Sequence, residues 1–338
     1  MNHVSNPPNP WAEGHVEWLG EPPEVELQVY EEEARSILTE NDSPDIPFRY
    51  SVNPYRGCFH GCAYCYARPT HEYLDFGAGT DFERRIVAKV NAPELLRDRI
   101  FDPEWSREPI TFSGVTDCYQ PLERTYELTR RLLEVCRELG NPVCIITKGA
   151  LVRRDVELLA EIDRRAPVRV YMSVPFADDE TGRAIEPHAT LVTQRLKALE
   201  ALSEAGITTG VAIAPIIPGL NDSAIPEILE RAADAGVEHA FYTLLRLPGP
   251  VESVFTERLR AHFPDRADRV LNGLREMRDG AVHATGFGDR MSGEGPRWEI
   301  VASLFESHCR KLGLNETERG EVEELDGPGK VQPSLFGE

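Results

Sequence analysis

From Ser51 onward, short apolar runs alternate with longer amphipathic stretches. The runs are Ser51–Tyr55, Pro109–Ser113, Pro142–Thr147, Val168–Val174, Thr208–Ile213 and His239–Leu244, and their length and β-branched content predict six strands. Between them, apolar residues recur at helical spacing: Leu128, Leu132, Val135 and Leu139; Leu151, Leu158 and Ile162, with Asp155 and Glu157 on the polar side; Leu196, Leu199 and Leu202; and Ile228, Leu229 and Ala232. Gly140, Gly206 and Gly236 stand where three of these helices should stop. Six strands with helices between them predict an α/β fold, a partial (β/α)6 parallel barrel built from right-handed crossovers. Chemistry is then expected at the C-terminal strand ends, which selects the residues after each run. Residues 251–313 read as two or three further helices, a helical C-terminal extension of the barrel at 49–250.

The flanks differ in character. Residues 1–50 carry 11 acids and 2 bases, and residues 314–338 carry 7 acids and 2 bases, so most of the net charge of −20 lies in two acidic ends. The N-terminal segment reads as an extended arm in which EVELQVYEEEARSIL holds a strand or a short helix. The acidity argues against a broad non-specific nucleic-acid surface, while the nearly balanced middle leaves room for a local basic groove. No run approaches the length of a membrane span, and the first residues lack a basic segment followed by an apolar one, so the expectation is a cytoplasmic protein without a membrane partner. Seven cysteines, an odd number, argue against a disulfide framework.

Three of those cysteines fall together. Cys58, Cys62 and Cys65 follow the first strand with C-x3-C-x2-C spacing, and Gly57 and Gly61 allow the backbone to loop around one centre. Thiolates suit zinc or an iron–sulfur cluster. A structural zinc site needs a fourth ligand, for which His60 or His71 is at hand. A cubane cluster held by three cysteines instead leaves one iron open. The spacing, the glycines and the barrel context favour the second arrangement.

This motif, with Tyr64 just before the third cysteine, resembles that of the radical S-adenosylmethionine (radical SAM) superfamily. Within it, CAYCYARPTHEYL at 62–74, GVTDCYQPLE at 114–123, ITKG at 146–149, SVPF at 173–176 and APIIPGLND at 214–222 resemble the branch of the spore photoproduct lyase. The resemblance implies that Cys58, Cys62 and Cys65 hold a 4Fe-4S cluster whose open iron chelates S-adenosylmethionine. It further implies reductive cleavage to a 5′-deoxyadenosyl radical that abstracts hydrogen from a substrate, with DNA or another nucleic acid as one class and a protein or small metabolite as the alternative, while a metal-containing protein that only binds nucleic acid or a repair partner is the non-enzymatic alternative. An electron donor such as flavodoxin or ferredoxin is implied as a partner. Matching the motifs residue by residue places Tyr64, Thr116, Asp117, Lys148, Ser173 and Ala214 around the cofactor, with Lys148 suited to the methionine carboxylate. Where the lyase carries a hydrogen-donating cysteine this chain has Gly114, so Cys118 and Tyr119, further along the same loop, become the candidates for radical quenching.

Three further segments attract attention. The stretch 286–298, with Arg290, Arg297 and Trp298, reads as a glycine-rich lid or phosphate nest. The pairs Arg84–Arg85, Arg130–Arg131, Arg153–Arg154 and Arg164–Arg165 read mainly as solvated helix faces. Gln332–Phe336, beyond a Gly-Pro-Gly spacer, resembles the peptide by which bacterial repair proteins bind the sliding clamp, with Pro333 in place of a leucine.

Overall fold

The structure is a computed structural model that describes residues 27–284 and 286–316. The first part of the acidic arm and the segment Gln332–Phe336 lie outside the described residues. The strands, in chain order, are β1 (Gln28–Glu32), β2 (Leu38–Glu40), β3 (Tyr50–Val52), β4 (Tyr55–Arg56), β5 (Arg85–Lys89), β6 (Ile110–Phe112), β7 (Val143–Thr147), β8 (Val168–Ser173), β9 (Thr208–Ile216) and β10 (His239–Leu244). Helices α1 (Thr80–Arg84) and α2 (Ala92–Ile100) precede β6, and α3 (Glu123–Tyr126) and α4 (Leu128–Leu139) follow it. Helix α5 (Val156–Asp163) follows β7, α6 (Asp179–Ile185) and α7 (Val192–Glu204) follow β8, and α8 (Ile225–Asp234) follows β9. Three more, α9 (Val251–His262), α10 (Pro264–Glu276) and α11 (Gly295–Leu312), complete the described chain. No helix among the described residues is long and apolar enough to cross a membrane.

The six expected strands are β3, β6, β7, β8, β9 and β10, and they pair in parallel in sequence order. This is the partial parallel barrel, with its helical C-terminal extension. Its core is made by strand residues such as Val52, Ile110, Ile145, Val170 and Val211 and by the helix residues Leu132, Leu158, Leu199 and Leu229, all buried. Gly140, Gly206 and Gly236 take φ of +71°, +80° and +81° just past α4, α7 and α8.

Two features depart from the sequence pattern. Part of the acidic arm is built in: β2 adds antiparallel to β3 at the barrel edge, and β1 pairs in parallel with β5. With β4 antiparallel to β5, this makes a second, three-stranded sheet in the order β1-β5-β4. Because β4 follows β3 after only Asn53 and Pro54, the chain leaves the barrel for the small sheet just before the cysteines. The second departure is Asp155. A 3-10 turn over Ala150–Asp155 precedes α5, which changes the residue spacing and turns this acid inward, where it is fully buried. It accepts from the Tyr119 hydroxyl at 3.1 Å, from Arg130 at 2.5 Å and from Arg154 at 2.8 Å. These two arginines are therefore structural rather than solvated.

Arg154 also reaches Glu123 at 2.8 Å, and Glu123 accepts from the Tyr55 hydroxyl at 2.6 Å. The same carboxylate accepts from the amides of Thr129 and Arg130 at 2.9 and 3.2 Å, satisfying the first turn of α4 across the break at Glu127. Glu123 thus ties the small sheet, α4 and the turn after β7 together. Replacing it with alanine strips a buried charge pair of one partner, and the Glu123→Ala protein is expected to lose about 3 kcal/mol or more of unfolding free energy in a denaturant titration.

Candidate functional site

The cysteine loop is fixed at both ends by backbone bonds. Cys58 N–H donates to Phe82 O at 2.9 Å, beside the small sheet, and Ala63 N–H donates to Ile185 O at 2.9 Å, at the end of α6. Gly57 and Gly61 stand at φ +73° and +65°, and a Cβ on Gly57 would lie 2.9 Å from both His71 Cε1 and Phe82 O. Any other residue at Gly57 would be both strained and overlapped. Within the loop the amides of Gly61, Cys65 and Arg68 turn back onto the carbonyls of Cys58, Cys62 and Cys65.

The inside of the loop is filled by Arg68, which is fully buried. Its guanidinium donates to the carbonyls of Cys62, Gly61, Ala78 and Gly79 at 2.9–3.2 Å and pairs with Glu83 at 2.5 Å. Arg68 lies within the motif, but its role as the tie of the loop is not visible in the spacing.

The three thiols feel one another. Burial pushes the Cys65 thiol up to about 11, with the Cys58 charge adding to the effect. Burial and then Glu186 push Cys62 up, against the pull of Lys148. Thiols such as Cys62 and Cys65 that resist ionisation need a cationic centre to be held as thiolates. Among the described residues no three His, Cys, Asp or Glu side chains converge closely enough to share a single metal ion. Each histidine proposed for zinc has a protein group facing one ring nitrogen. His71 Nε2 is 2.8 Å from Arg85 O, and His60 Nδ1 faces Asp117 at 3.4 Å. Burial opposes protonation of His60, but the charges of Asp117 and Cys58 outweigh it and hold the imidazole at about 10, as a cation. Three thiols of one loop are a donor set that fits a multi-iron cluster.

A buried polar network lies beside the thiols. Glu186 accepts from the Tyr64 hydroxyl and from Arg195 at 2.5 Å. Lys148 Nζ sits 3.9 Å from the same carboxylate and 5.5 Å from the centre of the Tyr64 ring. Arg195 also donates to Ser173 O at 2.9 Å and to Thr190 O at 2.7 Å. Arg195 holds Glu186 ionised despite its burial, with Lys148 adding to the effect. Glu186 and Arg195 belong to no recognisable motif, so sequence reasoning missed them. They carry a −1/+1 pair into the interior that keeps Tyr64 and Lys148 in place.

Of the residues expected around a cofactor, Tyr64 and Lys148 meet in this network, and Ser173 Oγ donates to Ala214 O at 3.2 Å on the next strand. Thr116 and Asp117 bond within the scaffold. The Thr116 hydroxyl donates to Tyr55 O at 3.1 Å, and Asp117 accepts from Thr147 Oγ1, Tyr119 N and Lys148 N at 2.6–2.9 Å. Asp117 thereby locks the loops after β6 and β7 to each other. Cys118 and Tyr119 are also buried. The thiol is 3.6 Å from Phe112 O, and the phenol is bound to Asp155. The side chain that does stand open is Tyr66, next to Cys65 and half exposed. Its hydroxyl donates to Gly114 O at 2.5 Å, at the position left without a thiol, and Arg246 lies over its ring. The 286–298 stretch is docked rather than free. Asp45 accepts from Gly288 N at 2.6 Å and pairs with Arg290, which also donates to Ser43 at 2.5 Å, while Gly295 begins α11.

Arg68 yields a direct test of the loop. Lysine retains the charge but cannot span carbonyls on two sides of the loop. Arg68→Lys is expected to fold and, after anaerobic reconstitution with iron and sulfide, to bind less than about a third of the wild-type iron, an effect on the order of 1 kcal/mol or more in assembly. Full iron content in that variant would show that the loop holds its shape without the guanidinium.

Comparison with known proteins agrees with this geometry. Residues 52–232, more than half of the chain, match the family model of the radical SAM superfamily. An uncharacterised protein of Mycobacterium tuberculosis is 39% identical over 226 residues, 66% of each chain. A protein of Pseudomonas phage M6 named radical SAM Nalpha-GlyT isomerase is 26% identical over 234 residues, 68% of this chain and 46% of its own. Among solved structures, spore photoproduct lyase complexed with a dinucleoside spore photoproduct superposes with a TM-score of 0.61 at 15% identity, covering 88% of this chain and 86% of the lyase. The cysteine loop at the mouth of a partial parallel barrel and the match over that same barrel lead to one assignment: this chain belongs to the radical SAM superfamily.

Proposed function

We propose that the protein is a radical SAM enzyme that acts on a nucleoside unit of a nucleic acid. The observation that carries the reading is the placement of three cysteines of one loop, Cys58 and Cys62 buried and Cys65 partly so, beside a buried lysine–carboxylate–tyrosine network at the barrel mouth. A 4Fe-4S cluster held by Cys58, Cys62 and Cys65 would supply, with S-adenosylmethionine, a one-electron cleavage that yields a radical able to take hydrogen from substrate.

The protein's own part is binding and orientation. Lys148 has no hydrogen bond from its ammonium among the described residues and only a long pairing with Glu186, so its donors are free to turn to the carboxylate of the cofactor. Ser173 and Ala214 offer a hydroxyl and a carbonyl on adjacent strands. Glu186, fixed by Arg195, keeps the Tyr64 hydroxyl from rotating. The buried setting excludes water, so reactive species are shielded from quenching. The nucleic-acid part of the reading is supported by the fold shared with a lyase solved with a dinucleoside photoproduct. The half-exposed Tyr66 beside the thiols supports it further, as a face on which a base can stack.

Two measurements test this. Anaerobically reconstituted wild type should bind iron and sulfide and cleave S-adenosylmethionine after dithionite, and each of Cys58→Ala, Cys62→Ala and Cys65→Ala should abolish cleavage. Full iron and full cleavage in any one of them would remove that cysteine from the assignment. Lys148→Ala should keep its iron and weaken S-adenosylmethionine binding by roughly ten- to a hundredfold, the worth of one charge-assisted bond. Unchanged affinity in a calorimetric titration would take Lys148 out of the cofactor site.

A further inference from the structure

Beyond the cysteine loop, the barrel mouth carries two arginines, Arg246 and Arg278, that make no ion pair among the described residues. Arg246 lies two residues past the end of β10, with its guanidinium over the Tyr66 ring at 5.5 Å and 3.7 Å from Met291 Sδ. Arg278, just past α10, is only 7% exposed, yet its guanidinium meets nothing but carbonyls, Val282 O at 2.9 Å and Arg290 O at 3.4 Å. Among the described residues the buried Nε of each arginine and the buried Nδ1 of His283 have no hydrogen-bond partner. Among the described residues neither arginine makes an ion pair. The nearby acid, Asp45, is already taken by Arg290 and the Gly288 amide. The three groups act on one another: burial and then Arg246 pull Arg278 down to about 10, and burial, Arg278 and Arg246 pull His283 down. Unanswered, half-desolvated cations are costly, and elsewhere in this chain buried arginines such as Arg68 and Arg195 are paired with carboxylates.

The position gives the missing anion a context. Tyr66 connects Arg246 directly to Cys65, and Phe287, well exposed, carries Arg290 over its ring at 4.6 Å. Two aromatic rings, each with a guanidinium against one face, form the combination that single-stranded nucleic acid uses, with bases on rings and phosphates on the flanking charges. A chain of net charge −20 has no general attraction for polyanions, so a local group has to supply it.

We propose that Arg246, Arg278 and His283 form the subsite that grips a backbone phosphate adjacent to the nucleoside presented at the cysteine loop. This deepens the reading of a nucleic-acid substrate and rests on it.

The test compares a short single-stranded deoxyoligonucleotide with the same bases on an uncharged methylphosphonate backbone, by fluorescence anisotropy on the reconstituted full-length protein at fixed salt. Wild type is expected to bind the phosphodiester at least ~10-fold more tightly, and Arg246→Gln to bring the ratio to within about threefold. Because Arg278 is buried, Arg278→Lys is the second variant, its fold checked by circular dichroism, and the same narrowing is expected. Binding of both oligonucleotides equally by wild type would overturn the phosphate subsite and leave the nucleic-acid reading standing. Binding of neither would overturn both. A wild-type ratio retained in folded Arg246→Gln and Arg278→Lys proteins would place the discrimination elsewhere and overturn the proposal, as would an acidic peptide that competes as well as the phosphodiester.

Discussion

Arg68 puts a full positive charge where water cannot reach it, and the shape of the site follows from how that charge is answered. An isolated buried ion would cost several kcal/mol, so the guanidinium must be surrounded by acceptors. The acceptors are carbonyls of Gly61, Cys62, Ala78 and Gly79 together with Glu83, drawn from the cysteine loop and from the segment leading into α1. Pulling these two stretches onto one planar fork leaves the loop a single path. The positive φ of Gly57 and Gly61 makes that path available, and the bond from Cys58 N–H to Phe82 O closes it. The same charge draws the Cys65 thiol toward ionisation, against the burial that opposes it.

Glu186 and Arg195 repeat the device on the other side. A buried carboxylate and a buried guanidinium neutralise each other, and what remains of their hydrogen-bonding capacity is spent on Tyr64, Ser173 O and Thr190 O. Lys148 is the one cation near this pair that is held loosely, at 3.9 Å. On the proposed reading this division would suit the uptake of a charged cofactor, with fixed charges holding the frame and Lys148 left to meet the ligand.

How much of this could be read in the sequence depends on whether a residue's role leaves a periodic or spaced trace. The six barrel strands are short apolar runs because both of their faces are covered, and the pattern displays that directly. The three cysteines are visible because a loop closing on one centre needs fixed spacing. The small sheet left little trace: β1 is exposed or half-exposed along its length, and β4 has two residues. Asp155 looked solvent-facing because helical numbering was extended through what is a 3-10 turn. Asp117, Thr116, Cys118 and Tyr119 sit where the motifs put them, yet their polar atoms hold the barrel loops together, a distinction that only side-chain partners can make. Glu186 and Arg195 could not have been singled out, since their pairing is long-range to the thiols and each looks like an ordinary helix-end charge.

The unspent cations at the mouth gain meaning against this background. Ser43 and Asp45, in the built-in part of the acidic arm, hold the 286–291 stretch through Gly288 and Arg290, so the N-terminal arm and the C-terminal extension meet beside β10. Leu244 N–H donates to Met291 O at 2.9 Å, which fastens that stretch to the last barrel strand. The acid that could have neutralised Arg246 is thereby consumed in building the rim on which Arg246 stands. On the proposed reading, Arg246, Arg278 and His283, which make no ion pair among the described residues, would receive an anion of the substrate beside the open Tyr66. On a fold whose cofactor chemistry is common to many substrates, selectivity has to come from such rims, because the barrel interior is already occupied by the groups that hold the cysteines and the lysine in place.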